Sequence, residues 1–96
     1  MVVTMLEARV RDDTTAVLID EYGSAGDTLP PFIVETFVLH AAHSDLWRIV
    51  TVWESRDALD QYRASVETPE GVRIFRSAGA EPALKVFEVA AHAAQP

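Results

Sequence analysis

The chain has 96 residues, and 49% of them are hydrophobic. Its net charge of −7 argues against binding to nucleic acid or anionic membrane surfaces, and the lack of cysteine excludes disulfides and thiolate chemistry. No segment approaches the roughly 20 consecutive apolar residues of a membrane span, and the first residues are apolar for too short a stretch to be a signal peptide. We therefore expect a cytoplasmic protein with one domain over residues 1–96.

The first quarter of the chain predicts a strand followed by a short helix. Residues 2–10 alternate between an apolar face and a mixed face, which is typical of a half-buried strand. Asp12 or Asp13 can cap the helix that follows, and the glycines in segment 23–26 can end it. Its β-branched residues indicate a helix that is short and intrinsically weak.

Two segments in the middle of the chain predict a β-hairpin. Residues 33–41 and 46–54 are rich in β-branched and aromatic side chains, and the turn between them contains serine and aspartate. Along the second strand, Trp47 and Trp53 share one face with an isoleucine and a threonine, while two valines lie on the opposite face. Because both faces carry apolar residues, we expect both to be at least partly buried.

The last third of the chain predicts a helix in two pieces and a final strand. Ser55 can cap a helix over residues 55–65. Thr68 can cap the second piece, with a proline in the first helical position, and Gly79 can end it. Residues 83–91 predict the last strand, and the tail from about residue 91 onward is expected to fray.

The order strand, helix, strand, strand, helix, strand is that of a split β-α-β arrangement. We therefore predict an α+β fold of the ferredoxin-like type, a four-stranded antiparallel sheet with helices on one face. A chain of 96 residues has a small core, and the other sheet face needs cover. The natural cover is the sheet of a second copy, so we expect a homodimer joined through the open sheet faces.

Three segments resemble the antibiotic biosynthesis monooxygenase family of the dimeric α/β-barrel superfamily. They are PPFIVETFVL, WRIVTVWESRDALDQYRAS and ALKVFEV, which lie between about residue 29 and residue 89. The resemblance implies two sheets paired into a barrel, with a pocket between sheet and helices in each subunit. It also implies oxidation of a small aromatic substrate, such as a phenol or quinol, without a metal or organic cofactor.

Four positions carry the comparison with the cofactor-free polyketide oxidases of that family. A tryptophan that lines their substrate pocket is matched by Trp53, and an arginine on the following helical segment is matched in spacing by Arg73. Those enzymes have an asparagine where this chain has Ile49, and a tyrosine where it has Leu59. The two differences favour a pocket that has lost this chemistry.

The haem-degrading members of the family match less well. They need an asparagine on the first strand, where this chain has Glu7, and a tryptophan on the second helix, where it has Tyr62. They also need a histidine on that helix, but no histidine occurs between His43 and His92. Haem iron requires a protein ligand, so we expect no haem. We expect no other cofactor either.

The pattern and the resemblance together define a candidate site. The catalytic candidates are Arg73, Tyr62 and Glu35, and the substrate-binding candidates are Trp53, Phe37, Leu59 and Phe75. A tyrosine hydroxyl can hydrogen-bond a ligand oxygen, an arginine can stabilise a phenolate, and a buried carboxylate can accept a proton. Each residue also has an ordinary interpretation. The aromatic residues can be core packing, and the charged ones can be solvated or paired, with Arg48 or Arg9 as partner of Glu35.

Three functions stay open. The first is a cofactor-independent monooxygenase acting on a small aromatic substrate; the second is a non-catalytic ligand-binding or structural barrel, favoured by the differences at Ile49 and Leu59. The third is an isomerase or lyase, which would need Glu35 or His40 as a base that points into the cavity. His40 and His43 lie at the hairpin turn without a third ligand, so we expect no metal site.

Overall fold

A four-stranded antiparallel sheet forms the centre of the structure, a computed structural model that describes residues 1–96. The strands, which lie in the order β2-β3-β1-β4, are β1 (Val2–Arg9), β2 (Ile33–His40), β3 (Leu46–Trp53) and β4 (Ala83–Glu88). A 3-10 turn precedes the first of three helices, which are α1 (Thr15–Gly26), α2 (Arg56–Ser65) and α3 (Glu70–Ser77). The predicted α+β ferredoxin-like fold is confirmed.

All three helices pack on the same face of the sheet, and this face carries the core. On β1 every second residue is buried, as the alternation in the sequence predicts. Leu18 of α1 and Phe75 of α3 are completely buried in a large cluster with residues of β1 and β3. Leu59 of α2 packs with Val2 and Trp53 in a separate small cluster. The core therefore has two parts.

The opposite face of the sheet has no helix over it. Half-buried apolar residues of β1 and β3 form its middle, and the outer strands expose the large side chains of Phe37, Leu39 and Phe87. An ion pair between Arg48 and Glu7, 2.6 Å from nitrogen to oxygen, joins β3 to β1 on this face. The prediction that both faces of the second hairpin strand are at least partly buried is confirmed, because every residue of β3 is buried or half-buried.

A bulge in β2 changes the face on which its first residues lie. Ile33 pairs with Trp53, but Glu35 pairs with Val52, so β2 has one extra residue at this point. Ile33 therefore lies on the helix face, whereas Glu35 and Phe37 lie on the open face. Strict alternation along the sequence would put Ile33, Glu35 and Phe37 on one face, because it does not anticipate a bulge.

Two predicted helix ends are confirmed. Ser55 caps α2, since its Oγ accepts a hydrogen bond of 3.0 Å from the Ala58 amide. Gly79 follows α3 with a φ of 75°, a left-handed conformation that glycine adopts without strain. Both signals depend only on residues close in sequence.

Two predicted caps are corrected. Asp12 and Asp13 make no capping hydrogen bond, because they belong to the 3-10 turn that leads into α1. Pro69, with an extended ψ of 145°, takes the cap position of α3 in place of Thr68.

At the C-terminus, residues 89–96 have no regular secondary structure. None of the helices has the length and apolar character needed to cross a membrane.

Replacing Ser55 with alanine removes the oxygen that accepts from the Ala58 amide. We expect the free energy of unfolding to fall by about 1 kcal/mol, as measured by urea titration followed by circular dichroism. Ser24 is exposed on α1 and makes no side-chain hydrogen bond, so Ser24→Ala is the matched control. Equal losses in the two variants would contradict the capping role of Ser55.

Candidate functional site

A cavity of about 380 Å³ lies between the helix face of the sheet and the helices. All four strands contribute to its floor, for example through Leu6, Thr36, Ile49 and Leu84. Its walls come from the end of α1, from α2, from α3 and from the segment between the last two. Small-molecule sites in proteins commonly have volumes of roughly 300–1,000 Å³, so this cavity can hold a small ligand.

Three aromatic rings pack together beside the cavity. Phe32 stacks on Trp53 with ring centroids 6.1 Å apart and planes at 18°, and Tyr62 is tilted against Trp53 at 5.1 Å. Trp53 and Tyr62 both line the cavity, but Trp53 is only 5% exposed. Trp53 is therefore chiefly a packed core residue that presents a small part of its ring to a ligand.

Two hydrogen bonds hold this aromatic wall in place. The indole N–H of Trp53 donates to the hydroxyl oxygen of Thr4 over 2.9 Å, so a buried donor is satisfied. The backbone N–H of Glu70 donates to the hydroxyl oxygen of Tyr62 over 2.9 Å. The second bond satisfies one of the free amides at the start of α3. Both side chains thus have defined positions before any ligand binds.

Four hydroxyl groups line the floor, and we call them the hydroxyl row: Tyr22, Thr36, Thr51 and Thr4. The Tyr22 hydroxyl donates to Thr36 Oγ1 over 3.3 Å, which links α1 to the sheet. The Oγ1 atoms of Thr36 and Thr51 are also 3.3 Å apart. The row gives a polar strip to a cavity whose neighbouring floor residues are apolar.

Charged residues line the cavity where its wall is exposed to solvent. Arg76 donates to Glu81 over 2.8 Å, and this hydrogen bond holds the pKa of the Glu81 carboxyl below its ordinary value. Arg63 and Glu67 are exposed and form no ion pair. These two are therefore the charged lining residues free to meet a ligand.

Arg73 does not line the cavity. Its Nε donates to Glu70 over 3.0 Å and its Nη1 donates to Glu21 over 2.9 Å, so its guanidinium ties α3 to α1. The hydrogen bonds to Glu70 and then to Glu21 raise the pKa of Arg73 above its ordinary value. Arg73 thus stays charged and engaged with two carboxylates of its own chain.

The structure brings three of the predicted site residues together at the cavity: Trp53, Leu59 and Tyr62. Leu59 is 1% exposed and packs beneath α2 against the aromatic wall. Their shared position follows from the strand end and the helix that directly succeeds it. Spacing along this short segment was sufficient to place them on one side of the sheet.

The other four predicted site residues lie elsewhere. Phe75 is fully buried in the large core cluster, because α3 turns it under the helix. Phe37 and Glu35 lie on the open face of the sheet, because they pair with Val50 and Val52 of β3. Arg73 is held by its two ion pairs. None of these four is among the residues that line the cavity.

His40 lies outside the cavity as well. Its ring stacks on Trp47 at 4.1 Å with planes at 5°, and its Nε2 lies 2.6 Å from the Ser44 carbonyl oxygen. The base that an isomerase or lyase would need is therefore provided neither by His40 nor by Glu35. No group of three or more metal-ligating side chains occurs in the structure.

The hydroxyl row was not predicted from the sequence. Thr4 and Thr51 lie on the helix face, and in the alternation of each strand they are hydroxyls among apolar residues. That interruption was the available signal. Tyr22 and Thr36 come from other elements, so their proximity depends on strand register and on how α1 packs.

Comparison with protein-family models finds no match, and comparison with curated proteins finds none either. Solved structures do match, and they show that this chain shares the fold of antibiotic biosynthesis monooxygenases. The resemblance seen in the sequence is thereby confirmed for the fold.

Three of these structures illustrate the match. A protein described as an antibiotic biosynthesis monooxygenase has a TM-score of 0.70 at 10% identity, covering 95% of this chain and 100% of that one. SnoaB, a cofactor-independent oxygenase from Streptomyces nogalater, has a TM-score of 0.65 at 14% identity, covering 95% and 94%. The heme-degrader MhuD from Mycobacterium tuberculosis, with two hemes in its active site, has a TM-score of 0.69 at 20% identity, covering 98% and 100%.

Thr4→Val keeps the shape of the side chain but leaves the buried indole N–H of Trp53 without an acceptor. We expect the free energy of unfolding to fall by about 1–3 kcal/mol, as measured by urea denaturation followed by tryptophan fluorescence. Thr28→Val, at an exposed position, is the control and should leave stability within about 0.5 kcal/mol. A Thr4→Val variant as stable as the wild type would show that this hydrogen bond contributes nothing.

Proposed function

We propose that this protein is a small-molecule enzyme of monooxygenase type, acting on an aromatic compound with a phenol- or quinol-like hydroxyl group. The observation that carries the proposal is the cavity of about 380 Å³, with its aromatic wall and hydroxyl row. A flat phenol has apolar faces and a polar edge, which match such a lining. The shared fold with a cofactor-independent oxygenase supports the same class of chemistry.

In the proposed reaction the substrate supplies all the electrons. The phenol loses its hydroxyl proton, and the electron-rich ring reacts with dioxygen at a carbon that carries hydrogen. One oxygen atom remains on that carbon as a carbonyl, and the other leaves as water with the two hydrogens that the substrate loses. The balance is phenol plus dioxygen to quinone plus water, which requires no metal or organic cofactor.

The lining residues have distinct roles in this proposal. Leu59 and Trp53 contact the apolar ring, and Tyr62 can donate its hydroxyl proton to a ligand oxygen because its own oxygen already accepts from Glu70. Glu67 is the exposed lining carboxylate without an ion-pair partner, so it or solvent receives the substrate proton.

Haem does not fit the residues of this cavity. Haem iron needs an axial ligand, commonly from histidine, cysteine, methionine or tyrosine. None of the lining residues is a histidine, cysteine or methionine. The hydroxyls of Tyr22 and Tyr62 are both engaged in hydrogen bonds within the protein. The proposed reaction therefore contains no haem step.

A non-catalytic ligand-binding protein is the second candidate function. It is favoured by the floor of the cavity, where hydroxyls are present but no carboxylate or imidazole. Of the lining carboxylates, Glu67 follows α2, Glu70 begins α3 and Glu81 precedes β4. Glu70 and Glu81 are already paired with arginines. The monooxygenase needs a base in contact with the substrate, whereas a ligand-binding protein does not.

We also propose that the open sheet face docks on the same face of a second copy. Phe37, Leu39 and Phe87 are each more than two-fifths exposed there, and monomeric proteins rarely leave large apolar patches in contact with water. Glu35 and Lys85 lie on this face without an ion-pair partner in the chain, so each can pair across a two-fold interface. Burying the face would extend a core that is small in one chain.

Oxygen uptake tests the proposed activity. Purified protein mixed with a panel of naphthols and naphthohydroquinones should consume dioxygen faster than buffer alone, with quinone detected by mass spectrometry. Ala25 lines the cavity, so Ala25→Phe should reduce the rate at least about tenfold by occupying ligand volume. Ala16→Phe, on an exposed part of the same helix, is the control. Ligand binding without oxygen uptake would support the second candidate instead.

Sedimentation equilibrium tests the assembly. The wild type should have about twice the chain mass of 10.6 kDa. Phe37→Glu places a charge in the proposed interface, so we expect a monomer at micromolar concentration. Val17 is similarly exposed on α1, and Val17→Glu should leave the dimer intact. A monomeric wild type would contradict this interface.

A further inference from the structure

Three threonines lie side by side on three neighbouring strands at the cavity floor. Thr36 of β2 is in register with Thr51 of β3, and Thr51 is in register with Thr4 of β1. Directly opposed side chains of antiparallel strands have Cβ atoms about 4.5–5.5 Å apart. A single oxygen atom of a ligand can therefore contact Thr4 and Thr51 together.

The hydroxyl protons of this row have a defined direction. Thr36 Oγ1 lies 3.1 Å from the Val50 carbonyl oxygen, which can only accept, so the single hydroxyl proton of Thr36 is donated there. The 3.3 Å contacts of Thr36 with Tyr22 and Thr51 then require Tyr22 and Thr51 to be the donors. Because Thr51 donates its only proton to Thr36, its oxygen presents lone pairs to the cavity.

Thr4 presents the opposite polarity. Its oxygen accepts from the Trp53 indole over 2.9 Å, and its own hydroxyl proton takes part in none of the hydrogen bonds of the structure. Thr4 is 8% exposed, so a donor at this depth gains much from a partner in the cavity. The floor thus offers a donor at Thr4 directly beside an acceptor at Thr51.

We propose that Thr4 and Thr51 form a two-point site for a neutral hydroxyl group, which accepts from Thr4 and donates to Thr51. This inference rests on the proposed function and specifies the form in which the substrate binds, as a protonated phenol or quinol. A phenolate or ether oxygen accepts from Thr4 but meets the lone pairs of Thr51. The substrate proton is therefore lost after binding.

Thr36 is a positioning residue in this site. It does not have to touch the ligand, but its bond to the Val50 carbonyl determines that Thr51 donates to Thr36. Without the Thr36 oxygen, the Thr51 proton can turn towards the cavity and donate to a ligand. The preference for a neutral hydroxyl over an oxygen that only accepts would then be lost.

Two ligands with the same ring system test the inference. 2-Naphthol donates and accepts a hydrogen bond, whereas 2-methoxynaphthalene only accepts. In anaerobic titrations by calorimetry, wild-type protein should bind 2-naphthol roughly 3- to 10-fold more tightly, the effect of one net hydrogen bond. Anaerobic conditions keep the ligand unchanged, so the measurement does not depend on catalysis.

Three variants locate the source of this ratio. Thr51→Val keeps the side-chain shape and should bring the ratio of the two dissociation constants close to one, and so should Thr36→Val. Thr68 lines the cavity outside the row, so Thr68→Val is the matched control and should keep the wild-type ratio. Circular dichroism verifies that each variant folds, and Thr36→Val provides the test if Thr51→Val does not fold.

Equal affinity of the wild type for the two ligands would overturn the inference, and so would an unchanged ratio in the folded valine variants. Failure of both ligands to bind would also overturn it. Selective binding of 2-naphthol without oxygen uptake would refute only the monooxygenase activity. Oxygen uptake with no preference between the ligands would refute only the hydroxyl site.

Discussion

The threonines of the hydroxyl row separate the two parts of the core, and the cavity depends on that separation. On β1, Thr4 lies between Val2 of the small cluster and Leu6 of the large one. On β3, Thr51 likewise lies between Trp53 of the small cluster and Ile49 of the large one. Apolar side chains cover hydroxyls poorly, because a covered hydroxyl must keep a hydrogen-bond partner. The helices place their buried residues over the two clusters and leave space above the row.

Close packing around this space gives the cavity a defined shape. A Cβ atom at Gly71 would lie 2.6 Å from Leu6 Cδ1, so a larger residue at this position would require the Leu6 side chain to shift. On the other side, Tyr22 joins α1 to the row through Thr36. The walls are thus held by contacts that exist without a ligand, and such preorganisation lowers the entropic cost of binding.

The two faces of the sheet carry different kinds of surface. Hydroxyls and aromatic rings on the helix face suit a small ligand, whereas the open face carries aromatic and aliphatic side chains around the ion pair of Arg48 and Glu7. The side chains of Arg48 and Glu7 are partly exposed in the single chain, so any partner that covers this face must accommodate their charges. Both surfaces are present in a chain of 96 residues.

The sequence by itself determined the order of the elements, the cap at Ser55 and the shared face of Trp47 and Trp53, because alternation and capping depend on neighbouring residues. Only the tertiary structure decided that Phe37 lies on the open face, since alternation does not show which face the helices cover and Phe37 is placed by its pairing with Val50. It also decided that Arg73 binds Glu21, 52 positions away, instead of facing the cavity. The hydroxyl row belongs with these, because its members meet only through the register of three strands.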